Sequence, residues 1–125
     1  MKRKAVILAL GTKYLICCDI GFLPDFFKYV MEDPQHQKEI KLIFSQVIEG
    51  LRTKKYSDED FGTKAMKPFF NRENDRIICN VLRRRNEKQC IIMSEIYFQK
   101  KSDNVNKLLK NRYKIVGSYE YEIIQ

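Results

Sequence analysis

The sequence predicts an α+β fold: an N-terminal helical hairpin packed on a small, mainly antiparallel twisted β-sheet, closed by a C-terminal helix. Three observations point there. Apolar residues between positions 23 and 51 recur at helical spacing, and those between 66 and 98 alternate or run together as strands do. Leu108, Leu109, Tyr113 and Val116 then return to helical spacing. With 125 residues, 44% of them hydrophobic, residues 1–125 fit one domain with one modest core and leave no room for a two-domain enzyme. Gly (5) and Pro (3) are scarce, which excludes a disordered tail.

Taken in order, residues 14–18 are a short β-type run and form the first strand, with residues 5–10 as its lead-in. Lys2, Arg3 and Lys4 before an apolar run imitate a signal peptide, but Gly11, Thr12 and Lys13 interrupt it and no small-residue cleavage site follows. Residues 23–31 form a short helix, with Pro24 near its first turn and Phe26, Phe27 and Val30 on one side. After Asp33 and Pro34 comes the clearest helical stripe, Ile40, Ile43, Phe44, Val47, Ile48 and Leu51. The short connection implies an antiparallel helical hairpin laid on the sheet downstream.

Residues 54–63, with Ser57, Asp58, Glu59 and Asp60, read as an exposed polar loop. Residues 66–70 are a strand confined to an edge by Pro68, 71–74 a turn, 76–82 a central strand and 83–87 a hairpin loop. Residues 88–98 form the longest strand. Simple alternation puts Cys90, Ile92, Ser94, Ile96 and Phe98 on one face, and Ile91, Met93, Glu95 and Tyr97 on the other. Ser102 or Asp103 caps the last helix and Gly117 ends it; residues 119–124 alternate like a strand whose partner, inside or outside the chain, is left open. No run approaches the ~18 apolar residues of a membrane span, so a soluble cytoplasmic protein is expected. Cys17, Cys18, Cys79 and Cys90 lack paired zinc spacing and read as buried reduced thiols, although Cys79 and Cys90 could face each other across a hairpin.

Charge is distributed unevenly. Residues 1–63 carry 10 basic and 9 acidic side chains, whereas residues 64–125 carry 14 and 7, so nearly all of the +8 lies in the second half. Such a field attracts a polyanion, and nucleic acid is the commonest one. Lys64 and Lys67 precede one strand, Arg72 and Arg76 open the next, and Lys100 and Lys101 close the last; convergence of those strand ends makes a cationic site suited to phosphate oxygens. Arg83, Arg84 and Arg85 sit at a hairpin tip and suit backbone phosphates outside that site. Cleaving RNA needs a base for the 2′-OH, cations for the phosphorane and an acid for the departing 5′ oxygen. The single histidine, His36, reads as a surface or cap residue, so a lysine flanked by other cations is the candidate base. Glu73, Asp75, Glu87 and Glu95 have no ligand spacing, and neither metal nor cofactor is implied.

The stretch from Phe69 to Asp103 carries a resemblance. Asn71-Arg-Glu-Asn-Asp-Arg76 followed by an apolar strand, and Ile91-Ile-Met-Ser-Glu-Ile-Tyr-Phe-Gln-Lys-Lys-Ser102, resemble the turn, strand-opening arginine and basic exit of the RelE/ParE superfamily of toxins, nearer its HigB-like, phage-derived branch. The resemblance implies a small α/β fold that cleaves messenger RNA, usually on the ribosome, and is held inactive by a cognate antitoxin. It implies that Arg76 contacts the scissile phosphate and that Lys100 and Lys101 are the basic pair, with Lys67, or Lys64 as an alternative, as the upstream lysine. Family enzymes often add a Tyr or His near the last helix; Asn104, Val105 and Asn106 stand there, leaving Tyr97 or Tyr113 as substitutes. A second reading keeps the fold without cleavage, as a ParE-like inhibitor or a basic nucleic-acid-binding module, and a third is a scaffold whose cations only solubilise it. Base preference and oligomeric state are not legible.

Overall fold

Two strands, rather than two helices, open the chain. In the computed structural model, which describes residues 2–69, 74–83, 88–99 and 107–124, β1 (Arg3–Leu10) folds back on β2 (Tyr14–Asp19). Gly11, Thr12 and Lys13, which read as a break in one strand, are the turn between two; the Gly11 amide donates to the Tyr14 carbonyl at 2.9 Å. Helices α1 (Leu23–Glu32) and α2 (Pro34–Ile48) follow, then β3 (Tyr56–Asp58), a 3-10 turn (Asp60–Gly62), β4 (Lys64–Met66), β5 (Asn74–Arg83), β6 (Gln89–Gln99), α3 (Lys107–Gly117) and β7 (Tyr121–Ile124). The expected N-terminal helical hairpin is thus an internal crossover.

The sheet is also larger and more mixed than expected. Among the described residues its seven strands run in the order β3-β4-β5-β6-β2-β1-β7. β2 pairs with β6, and β1 with β7, in parallel; the other pairs are antiparallel. A parallel pair cannot be joined by a tight turn, so the chain between β2 and β6 must cross over, and α1 and α2 lie on that path. The tail at 119–124 pairs within the chain, with Arg3 opposite Tyr121. The polar stretch 54–63 supplies β3 and the 3-10 turn; in place of the edge strand expected at 66–70, β4 covers Lys64–Met66, ends before Pro68 and is internal, flanked by β3 and β5, so that β3 takes the edge.

Helices α1 and α2 each start with a proline in the first turn, and Asp33 caps α2 by accepting from the Gln35 amide at 2.8 Å. α1 buries Phe26 and Tyr29, while Phe27, expected inside, is 50% exposed. α2 buries Ile40, Ile43 and Val47 and stops at Ile48, leaving Leu51 outside the helix and exposed. These side chains meet Ile16, Cys18, Met66, Ile77, Cys79, Ile91 and Met93 in the main core.

The opposite face carries α3, whose Leu109, Tyr113 and Val116 pack on Ile78, and next to it a small cluster around Ala5, Leu15, Cys17, Cys90, Ile92 and Tyr121. Simple alternation fails along β6 because of a bulge: Cys79 pairs with Met93 but Ile78 with Glu95, skipping Ser94. Beyond it, Ile96 packs in the α1–α2 core and Phe98 lies against Tyr29, whereas Tyr97 packs on the α3 side with Glu95 bonded to Arg112. Cys79 and Cys90 fall in different cores and do not face each other. All four cysteines are buried, and burial pushes the Cys18 thiol up to about 12.

Candidate functional site

The α3 face holds the candidate polar cluster. Arg76, Ile78 and Asn80 alternate with the residues of β5 that face α1 and α2, so all three point toward α3. Ile78 is in its core, and the Asn80 amide donates to the carbonyls of Val116 and Tyr119 at 2.8 and 3.0 Å. Arg76, 7% exposed, extends to a point shared with three other residues. Its Nη1 lies 3.3 Å from Glu59 Oε1 and 3.5 Å from the Tyr113 hydroxyl. The Tyr113 hydroxyl donates to the same Glu59 oxygen at 3.3 Å, and Lys67 Nζ stands 3.5 Å from it. Arg76 Nε is buried with no hydrogen-bond partner among the described residues.

Local structure explains each placement. Glu59 begins the loop closing the β3–β4 hairpin, where its amide donates to the Thr63 carbonyl at 2.9 Å. Phe61 and Gly62 take left-handed backbone, with φ of 61° and 72°. The loop seats against the end of α3 so closely that a Cβ on Gly117 would lie 2.6 Å from the Phe61 carbonyl oxygen, so glycine is required there. Tyr113 reaches the cluster from the middle turn of α3. Burial raises its pKa, with Glu59 adding to the effect and Arg76 opposing it. The phenol therefore stays protonated at neutral pH and serves as a hydrogen-bond donor rather than a base.

Arg76 and Lys67 are accordingly brought to one carboxylate oxygen, with Tyr113 beside them. Lys64 is not: it pairs with Cys79, and directly opposed residues share a face, so it lies on the α1–α2 side, bonded to Asp58 and 5.3 Å over the Tyr56 ring. Arg83 stands at the far end of β5, seven residues or about 23 Å of strand from Arg76. Arg72, Arg84, Arg85, Lys100 and Lys101 lie outside the described residues, as do Asn104, Val105 and Asn106. His36 is neither on the surface nor near the cluster. It is 8% exposed, stacks on Tyr29 at 4.0 Å and contacts the Tyr29 carbonyl through Nδ1 at 2.7 Å, inside the α1–α2 layer.

Glu59 is the member that sequence reasoning missed, because it sits in a run that reads as polar loop. The available signal was Tyr56, a large apolar-bodied residue within that run, able to start a strand and place Glu59 at a hairpin bend.

A second polar group ties β7 into the sheet. Asp19 accepts from Arg3 Nε at 2.7 Å, the Tyr121 hydroxyl at 2.6 Å and the Gly21 amide at 2.7 Å, and Tyr121 also meets Ser94 at 2.8 Å. Burial pushes the Asp19 carboxyl up, but the hydrogen bonds from Tyr121, Arg3 and Gly21 outweigh it and hold the group below its usual value. With its donors saturated, this group acts as a clasp.

Among the described residues, one cleft of about 210 Å³ beside Tyr14, Tyr56 and Lys64 and another of about 300 Å³ beside Tyr29, Glu32 and Phe98 open on the α1–α2 side. Neither includes Arg76, and concavity alone outweighs neither the buried arginine nor the converging donors. No group of metal-ligating residues occurs among the described residues, and no helix there is long and apolar enough to cross a membrane. Comparison with protein-family models, curated proteins and solved structures finds no match.

Proposed function

We propose that this protein is the toxin of a toxin–antitoxin pair, a metal-independent endoribonuclease that cleaves messenger RNA in the cytoplasm, on the ribosome, and is silenced by a cognate antitoxin. The observation that carries this reading is Arg76: a buried guanidinium aimed at a point that Lys67 and the Tyr113 hydroxyl also address. Three donors of that kind suit a phosphodiester that gains negative charge as the 2′ oxygen attacks phosphorus. In this scheme Arg76 and Lys101 hold the phosphate. Lys67 or Lys100 takes the 2′-OH proton, the 5′ oxygen leaves, and a 2′,3′-cyclic phosphate remains. Of the two substitute tyrosines, Tyr113 is the better donor to the leaving oxygen, because its hydroxyl is 3.5 Å from Arg76. Lys64, Arg72 and the Arg83, Arg84 and Arg85 tip contribute to the wider field that attracts RNA.

A second reading is favoured by the ion pairing itself. Arg76 and Lys67 already share the Glu59 carboxylate, as they would in a protein that only binds nucleic acid or blocks a target. Translating extracts supplied with the protein separate the two. Messages are expected to acquire 2′,3′-cyclic phosphate ends, and Arg76→Ala to reduce their yield by about 10²–10³-fold while the circular dichroism spectrum is retained. Uncut messages that nonetheless retain bound protein would replace the nuclease by the binding module.

A further inference from the structure

We infer that Glu59 is a resident countercharge occupying an oxyanion site, and that a phosphodiester binds by displacing its carboxylate from Arg76, Lys67 and Tyr113. The inference rests on the nuclease reading only for the identity of the ligand, a single-stranded RNA phosphate. Its basis is a mismatch between direction and distance. The Arg76, Lys67 and Tyr113 donors, with the Ser57 hydroxyl, all address one atom, Glu59 Oε1, at 3.3, 3.5, 3.3 and 3.5 Å. Charge-assisted contacts close to about 2.7–2.9 Å when a carboxylate is bound for its own sake. By contrast, Asp19 on the same face draws its three donors to between 2.6 and 2.7 Å.

The donors around Glu59 are therefore arranged about a point that a single carboxylate oxygen underfills. A tetrahedral phosphate group presents two non-bridging oxygens and is broader, so it can approach Arg76 and Lys67 together. It also offers a second acceptor to the buried Arg76 Nε, which has no partner among the described residues. Glu59 can yield the place by side-chain rotation alone, because its own amide stays fixed to the Thr63 carbonyl within the hairpin loop. Until then the carboxylate keeps the buried Arg76 and the half-buried Lys67 from standing unpaired, a costly state for a cation removed from water. The arrangement trades affinity for a site that is stable when empty.

The test is binding of a short single-stranded RNA with 2′-O-methyl riboses, which cannot be cut, measured by fluorescence anisotropy at low and physiological salt. Glu59→Gln is expected to tighten binding about tenfold, equivalent to about 1.4 kcal/mol, and inorganic pyrophosphate to compete more effectively against the variant than against the wild type. Glu59→Asp retracts the charge by one methylene and is expected to tighten binding by a smaller factor, which keeps the test available if the glutamine variant does not fold. Unchanged or weaker RNA binding by both folded variants would overturn the inference. So would Glu59→Gln that binds normally but no longer cuts messages, since Glu59 would then be acting on the proton. If the wild type cuts no message yet Glu59→Gln binds more tightly, the countercharge stands and the nuclease falls; a cutting wild type with no gain in the variants gives the reverse.

Discussion

The two faces of the sheet bury comparable elements by different means. Under α1 and α2 the sheet offers Ile16, Cys18, Met66, Ile77, Cys79, Ile91 and Met93, an almost unbroken apolar surface. Under and beside α3 it offers Arg76, Asn80, Ser94 and Asp19, all at most 7% exposed, interleaved with the two small apolar clusters. Burying a polar group lowers stability unless each of its hydrogen bonds is replaced, and an apolar face would stabilise the fold more simply. The polar groups of the α3 face are of two kinds. Asp19 and Asn80 are satisfied at short distance and join elements far apart in sequence, whereas Arg76 is left with a long, shared contact and an unused donor. The first kind accounts for architecture, and the second is the reason we propose a site on this face.

The sharpest way to break the contrast is to damage the apolar face alone. Ile77→Ala removes a fully buried side chain from the α1–α2 core. It is expected to cost about 2–5 kcal/mol through lost burial and the cavity left behind, read as a lower midpoint in urea unfolding. The folded fraction should still bind RNA as the wild type does, because Arg76 is the next residue but points to the other face. A large loss of affinity in fully folded Ile77→Ala would mean that the faces are coupled.

What the sequence disclosed follows the same division. On the apolar face, periodicity is local: Ile40, Ile43 and Val47 declare α2 without reference to the rest of the chain, and Pro24 and Pro34 mark where the helices start. The order of layers was not legible, because the three residues Gly11, Thr12 and Lys13 look alike as a break within a strand and as a turn between two. The α3 face depends on long-range facts. Tyr121 joins Asp19 across 102 positions, and the bulge at Ser94 reverses a pattern that reads as regular alternation. Arg76, Lys67 and Tyr113 were visible as chemistry-bearing types; their meeting point was not, since it is defined by Glu59 in a segment too polar to announce β3.

The clasp sharpens the comparison from the polar side. Asp19→Asn keeps the shape but removes the charge that Arg3, Tyr121 and Gly21 address, and is expected to cost about 1.5–3 kcal/mol at neutral pH, the range for hydrogen bonds to a charged group. Arg3 is 42% exposed on its side chain, so solvent screens its part. The pH dependence fixes the sign. The folded-state pKa of Asp19 lies below its ordinary value, about 3.9 in an unfolded chain. The stabilisation is therefore complete above that value and is lost as pH falls through the lower folded one. Urea midpoints of wild type and Asp19→Asn should differ at neutral pH and converge in acid; a gap that persists unchanged in acid would assign the cost to lost shape rather than charge.

Arg112→Ala is expected to have the smallest effect, and it separates the rim of the polar face from its interior. Arg112 donates through Nε to Glu95 at 2.6 Å and through Nη2 to the other carboxylate oxygen, a two-point pair, but its side chain is 36% exposed and that of Glu95 22%. Solvent screening limits such a pair to about 1 kcal/mol or less, falling as salt is added. The more informative readout is RNA affinity. Arg112 is already neutralised by Glu95 at full contact, so its removal should leave binding of the uncleavable RNA within about twofold, a difference of roughly 0.4 kcal/mol, while Arg76→Ala weakens it far more. Equal losses from the two substitutions would mean that RNA responds to the summed charge of the α3 face, and Arg76 would lose its separate standing as the residue around which the site is built.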